Sequence, residues 1–232
     1  MDLLSTQTDL SLFFHGALSA YRSEDVTYLD RFSPAQFMHF EQDPTWAAFR
    51  NCAAGIILAF ATDSPTLDIS FHSEGARLPL TLGIDVEIDG QLAQGHYFDT
   101  YYDPHVRLRL FDLSDQFRRM RRIRVFLPHM RVPRLLSVDL TDNARVEALP
   151  RPTAKILSLG DSITQGLDAI SPDSIYPNQL GNLFQAEVLN QGEAGHVFDS
   201  GSLDPHFPWS PNLITVAYGS NDWASKRLDN PN

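Results

Sequence analysis

From residue 1 to about 150, apolar and polar positions alternate over short stretches. Strands are predicted over 54–62, 66–72, 82–88, 106–111, 123–127 and 135–140. In Thr66-Leu67-Asp68-Ile69-Ser70-Phe71 every second residue is apolar, the pattern of a strand with one buried face. Asp63-Ser64-Pro65, Ser73-Glu74-Gly75 and Asp89-Gly90 supply turn signals between these runs. Short strands at near-regular spacing predict an all-β sandwich or jelly roll. No internal repeat or low-complexity segment interrupts it.

The pattern changes after Leu149-Pro150-Arg151-Pro152. Two prolines in three residues disfavour helix and cannot donate in a ladder, so a short extended linker is expected. Beyond it the periodicity reads β-α-β-α-β. The strands fall at 156–159, 187–190 and 213–218, with a helix over 176–184 capped near Asp173 or Ser174. The run at 213–218 is apolar with little alternation, which suits a parallel strand buried on both faces. The expected division is 1–150 and 151–232, an all-β unit followed by a flavodoxin-like α/β unit.

With 232 residues, 43% of them hydrophobic, the chain can hold two modest domains or one large one. A formal net charge of −11 argues against nucleic acid as a partner. The basic run Arg118-Arg119-Met120-Arg121-Arg122-Ile123-Arg124 reads as a solvated turn feeding the next strand, with an anionic-ligand patch as the alternative. The single cysteine, Cys52, lies in an apolar stretch and is expected in the core. No Lys or Arg precedes Arg22, so the positive region of a secretory leader is missing, and no apolar run approaches the ~20 residues of a membrane helix. Cytoplasmic placement without membrane attachment is the expectation; oligomeric state is not legible. Carboxylates and histidines lack zinc-site spacing, and the glycines do not form a dinucleotide fingerprint, so no metal and no cofactor is expected.

The candidate chemistry starts at Ile156-Leu157-Ser158-Leu159-Gly160-Asp161-Ser162. A buried strand ending in a tight turn is where α/β enzymes present a nucleophile, here Ser162. Asp161 adjoins it but points the other way and is read as a brace for the turn. Gly160-Asp161-Ser162-Ile163-Thr164, then Asn190-Gln191-Gly192-Glu193-Ala194-Gly195, then Val216-Ala217-Tyr218-Gly219-Ser220-Asn221-Asp222 follow one another in order. This succession resembles the first three sequence blocks of the SGNH hydrolases, the GDSL esterase/lipase family. The front all-β unit is similar to that of a subgroup with carbohydrate acetyl esterases and acyltransferase-like members.

The resemblance implies a serine esterase for short acyl esters, with acetyl on a sugar as the expected case and Ser162 as nucleophile. It implies an oxyanion hole of the Ser162 N–H, the Gly195 N–H and the Asn221 side-chain amide. Gly192 competes with Gly195 for the second role. The family's Asp-x-x-His block does not follow Ser162. The catalytic His and Asp are therefore not identified in this chain, and the expectation is a longer protein whose α/β unit continues past its third strand. His196 is expected at the pocket rim. Asp204-Pro205-His206 has the wrong spacing, and His15, His39, His72, His96, His105 and His129 could reach the site only across the interface between units. A half-sheet would leave the strand at 213–218 with a bare edge and an uncovered apolar face. A carbohydrate-binding or pseudoenzyme protein is the alternative, with Tyr97, Phe98, Tyr101 and Tyr102 as a sugar-stacking cluster. Acyl transfer to an alcohol on the same residues is the third reading.

Overall fold

A computed structural model describes residues 1–75, 82–98 and 104–229. The front part opens with α1 (Leu3–Thr6), β1 (Phe14–His15) and the hairpin β2 (Ser19–Ser23) and β3 (Val26–Asp30). Helices α2 (Pro34–Phe40) and α3 (Pro44–Phe49) follow. Strands β4 (Ile57–Thr62), β5 (Thr66–Gly75), β6 (Leu82–Ile88), β7 (Gln91–Phe98), β8 (His105–Asp112), β9 (Arg121–Phe126), β10 (Arg131–Leu140) and β11 (Val146–Ala148) complete it.

These strands build two antiparallel sheets. One runs β1-β4-β9-β6-β7, with β11 also on β4; the other runs β2-β3-β10-β5-β8. The inward residues of both, among them Phe60, Ile69, Phe71, Val86, Ile123 and Leu135, share one apolar core. All six strands expected here are present; β6 keeps the expected bounds, and β5, β8, β9 and β10 are one to four residues longer than their apolar runs. Strand β4 is shorter, starting at Ile57 because Gly55, at φ +78, turns the chain just before it. The β2–β3 hairpin, β7 and all three helices were not expected.

The basic run is a solvated turn only in its first part, where Arg118 and Arg119 are exposed and outside any strand. Strand β9 begins inside it, and Arg121 is buried, donating to the Arg119 and Phe117 carbonyls and to Gln116. Cys52 is buried beside Phe49, Met130, Val132 and Ala194, and burial pushes its thiol up to about 12. Of the aromatic cluster, Tyr101 and Tyr102 lie outside the described residues, as does the Phe98 side chain. Tyr97 donates its hydroxyl to Asp85 at 2.5 Å.

The second part consists of β12 (Ala154–Gly160), α4 (Ser162–Gln165), α5 (Tyr176–Phe184), β13 (Ala186–Gly192), β14 (Leu213–Ala217) and α6 (Ser220–Asp229). All three strands are parallel, ordered β13-β12-β14. That second-first-third order is the doubly wound start of a flavodoxin-like sheet. Three expectations are corrected. Helix α5 is capped at Ile175 without a side-chain bond, its start set by Pro177. The β13–β14 connection holds only a single 3-10 turn at Ser200–Ser202, because Pro205, Pro208 and Pro211 deny it a helix. Strand β14 is not buried on both faces: Leu213, Ile214 and Val216 are 44%, 52% and 58% exposed. The bare apolar strand anticipated for a half-sheet is thus present.

Candidate active site

Strand β12 ends at Gly160, and Asp161 turns the chain so that Ser162 becomes the first residue of α4. The buried Asp161 carboxylate accepts the Ile163 N–H at 3.0 Å, while the Asp161 N–H reaches the Ala217 carbonyl at the end of β14 (3.4 Å). The aspartate braces the turn and ties α4 to the third strand. Ser162 is half-buried, and among the described residues neither its hydroxyl nor its N–H has a hydrogen-bond partner.

The two candidate glycines differ sharply. Gly192 is buried, and its N–H is already donated to Asn190 Oδ1 at 2.8 Å. A Cβ there would lie 2.2 Å from the Gln165 backbone nitrogen, so Gly192 lets β13 pack directly on α4. Gly195 sits in an exposed turn closed by the His196 N–H on the Glu193 carbonyl (3.1 Å), at φ +76, where glycine is favoured. Its N–H has no partner among the described residues. The turn is locked to α4 by Ala194 N–H on Gln165 Oε1 and by Asn190 Nδ2 on the Thr164 carbonyl, both 2.8 Å.

Asn221, in the first turn of α6, donates from Nδ2 to the His196 carbonyl at 3.0 Å. One amide hydrogen remains available. Ser162, the Gly195 turn and Asn221 are therefore interlinked where three parallel strands end, the place where open α/β sheets bind ligands.

The loop is held from the front part of the chain. Arg31, fully buried, donates to the carbonyls of Cys52 (2.6 Å), Asn190 (2.7 Å) and Gly192 (3.0 Å). Beside it the Glu193 side chain is sealed from water, its carboxyl oxygens without a hydrogen bond, and this burial outweighs the nearby guanidinium, raising its carboxyl well above the ordinary range. Gln36 donates to Gln191 Oε1 (3.1 Å) and the Ser202 carbonyl (2.9 Å). Helix α3 places Thr45 and Trp46 next to Gly195.

The histidines fall differently from expectation. His196 is buried rather than on a rim, enclosed by His39, Phe40, Trp46 and Tyr218, with Nδ1 3.1 Å from the Tyr218 hydroxyl. Burial, helped by His39, lowers its pKa to about 4. The Asp204 carboxylate takes the backbone N–H of His206, not its ring. His39 comes from the front part and meets Asp199 at 3.0 Å, beside the loop that carries Gly195. That pair was missed because α2 and α3 were missed. Their signals were in the sequence: Ser33-Pro34 with Gln36 forms a capping box, and Asp43 caps the helix opened by Pro44. No histidine hydrogen-bonds Ser162 among the described residues. Nor do three His, Cys, Asp or Glu side chains there gather into a metal-binding group. No helix among them is long and apolar enough to cross a membrane.

No family model and no curated protein matches the sequence. Solved structures do. A salicylyl-acyltransferase from a tetracycline biosynthetic pathway superposes with TM-score 0.77 at 21% identity, over 97% of this chain and 65% of that one. The chain has the SGNH-hydrolase fold. A GDSL-like lipase from Bacteroides ovatus shares it with TM-score 0.73 at 19% identity, over 94% and 69%. So does an acetyl xylan esterase from Butyrivibrio proteoclasticus, at 0.60 and 16%, over 96% and 64%. The chain spans about two thirds of the length of these SGNH-fold proteins.

Proposed function

We propose that this chain carries the nucleophile and oxyanion hole of a serine esterase acting on short acyl esters, acetyl esters of carbohydrates foremost. The observation that supports it best is the pair of unspent N–H groups at Ser162 and Gly195, linked to the Asn221 amide at the carboxyl ends of three parallel strands. Ser162 Oγ attacks the ester carbonyl and its proton passes to a histidine. The three donors take the charge that develops on the carbonyl oxygen. Collapse expels the alcohol, which leaves with that proton, and water then releases the acyl group from Ser162. With no described histidine on Ser162, the reading requires one, oriented by a carboxylate, from further polypeptide. Gly195 rather than Gly192 is assigned to the hole, because the Gly192 N–H is occupied by Asn190.

The test is acetate release from p-nitrophenyl acetate and acetylated xylan by the protein as encoded in its full reading frame. Ser162→Ala abolishes turnover with circular dichroism unchanged, and Asn221→Ala lowers kcat by ~10²–10³. Turnover that survives Ser162→Ala removes the mechanism. The acyltransferase among the structural neighbours favours a second reading on the same residues, in which an alcohol replaces water. Ester product formed on adding a sugar or glycerol acceptor distinguishes it.

A further inference from the structure

The turn that carries Gly195 has close neighbours from the front part of the chain. A Cβ built on Gly195 would lie 3.1 Å from Thr45 Cγ2 and 4.0 Å from Trp46 Nε1. Both residues lie in the first turn of α3, where the Asp43 carboxylate accepts the N–H groups of Thr45 (2.7 Å) and Trp46 (3.3 Å). Phe49, one turn further on, is buried in the same apolar cluster as Ala194. Helix α3 is therefore seated against the residue just before Gly195.

Three rings fix the Trp46 indole. His39 stacks on it with centroids 5.7 Å apart and planes at 19°, while His196 and Phe40 meet it nearly at right angles, at 5.0 and 6.2 Å. His39 is itself held 3.0 Å from Asp199. Yet the indole is only half-buried, and its N–H has no hydrogen-bond partner among the described residues and is not sealed from solvent. Thr45 is exposed, and its hydroxyl has no partner there either. Tryptophan N–H groups packed into a fold usually find a partner. This one is ordered by its neighbours and left free. A donor fixed in advance loses little rotamer entropy when a ligand arrives.

Chemistry decides which part of an ester meets it. An acetyl group carries one polar atom, the carbonyl oxygen, and the donors of Ser162, Gly195 and Asn221 are assigned to that atom. Any further oxygens belong to the alcohol. Taking Ser162 as the nucleophile of an esterase, we propose that Trp46 and Thr45 are specificity-determining residues, selecting an alcohol part that carries further hydroxyl or ether oxygens, as a sugar does. The Trp46 N–H donates to one such oxygen, and the Thr45 hydroxyl exchanges a hydrogen bond with another. A hydrocarbon alcohol of the same size displaces water from both groups and gives nothing back.

The test compares two acetate esters of six-membered-ring alcohols, an O-acetylated methyl xyloside and cyclohexyl acetate, on the protein as encoded in its full reading frame. The unaltered protein has the higher kcat/KM for the xyloside. Trp46→Phe keeps an aromatic ring beside His39 and loses the N–H; Thr45→Val keeps the shape and loses the hydroxyl. Each lowers the ratio of kcat/KM, xyloside over cyclohexyl ester, about 3–10-fold. General damage to the site falls on both esters alike and does not move that ratio. Thermal melts identify a variant that fails to fold, and the other then decides. A ratio unchanged in the folded variants overturns the proposal, as does an unaltered protein that favours the cyclohexyl ester. Binding separates this inference from the esterase reading. Ligand-observed NMR on the Ser162→Ala protein shows saturable binding of the xyloside, weakened about 3–10-fold when either substitution is added. If neither ester is hydrolysed, the esterase reading falls and that binding decides alone. Absent binding, or binding undiminished in the folded variants, overturns the proposal.

Discussion

Arg31 and Glu193 sit 3.6 Å apart, nitrogen to oxygen, with both side chains sealed from water. The arginine leaves the front part of the chain at the end of β3 and holds the main chain of β13 just before the Gly195 turn. Arg31→Met strips three carbonyls of their donor and removes the neighbour of a buried carboxyl. It is expected to cost about 3–5 kcal/mol, read as a lower urea midpoint. Any folded fraction is expected to lose turnover as well, because the turn after Glu193 loses its anchor.

His196 makes stability depend on pH. Its folded pKa of about 4 lies below the ordinary imidazole value of 6.5, with burial the main cause. The unfolded chain therefore takes up a proton that the folded chain refuses. The stability this gives is fully present above pH 6.5 and is lost as pH falls towards 4. His196→Phe, which fills the same aromatic enclosure, is expected to narrow the gap between melting temperatures at about pH 8 and about pH 5. Part of the slope survives, since burial also lowers His15 and His129.

The two loop glycines are expected to separate fold from chemistry. Gly192→Ala drives a Cβ into the backbone of α4 and is expected to lose cooperative unfolding or shift the melt strongly. Gly195→Ala brings a Cβ to 3.1 Å from the Thr45 methyl, which only a small shift of that side chain relieves, and carries the strain of its positive φ, about 1–2 kcal/mol. It is expected to fold and lose turnover. Equal melts for the two variants would contradict the packing described for β13 on α4.

Strand β14 predicts self-association of the 232-residue chain. Ile214 and Val216 point to one face and Leu213 to the other, and both faces are exposed. Light scattering that rises with concentration is expected, and Ile214→Lys with Val216→Lys is expected to reduce it. A monomer at all concentrations would remove this prediction.

Much of this was legible in the residues. The turn at Ser162 and the strand that leads to it follow from a local apolar run and three ordered blocks. Strand β5 followed from simple alternation. What local pattern could not convey was the traffic between distant segments. Arg31 looks like any surface arginine until β13 lies beside it, and His39 gains meaning only when Asp199 arrives. His196 was misplaced because adjacency to Gly195 says nothing about which way a side chain turns. Strand β14 was misread because an apolar run records what a strand can bury, not what covers it.

Trp46 and Thr45 touch the turn that carries Gly195, although some 150 residues of chain separate them. The surroundings of Gly195 are thus written in two distant stretches of the gene. Recombination that exchanged the first fifty codons for those of a relative would alter the neighbourhood of the proposed oxyanion donor while leaving the three sequence blocks intact. Selectivity in this architecture can drift without a mutation in the blocks by which such proteins are recognised.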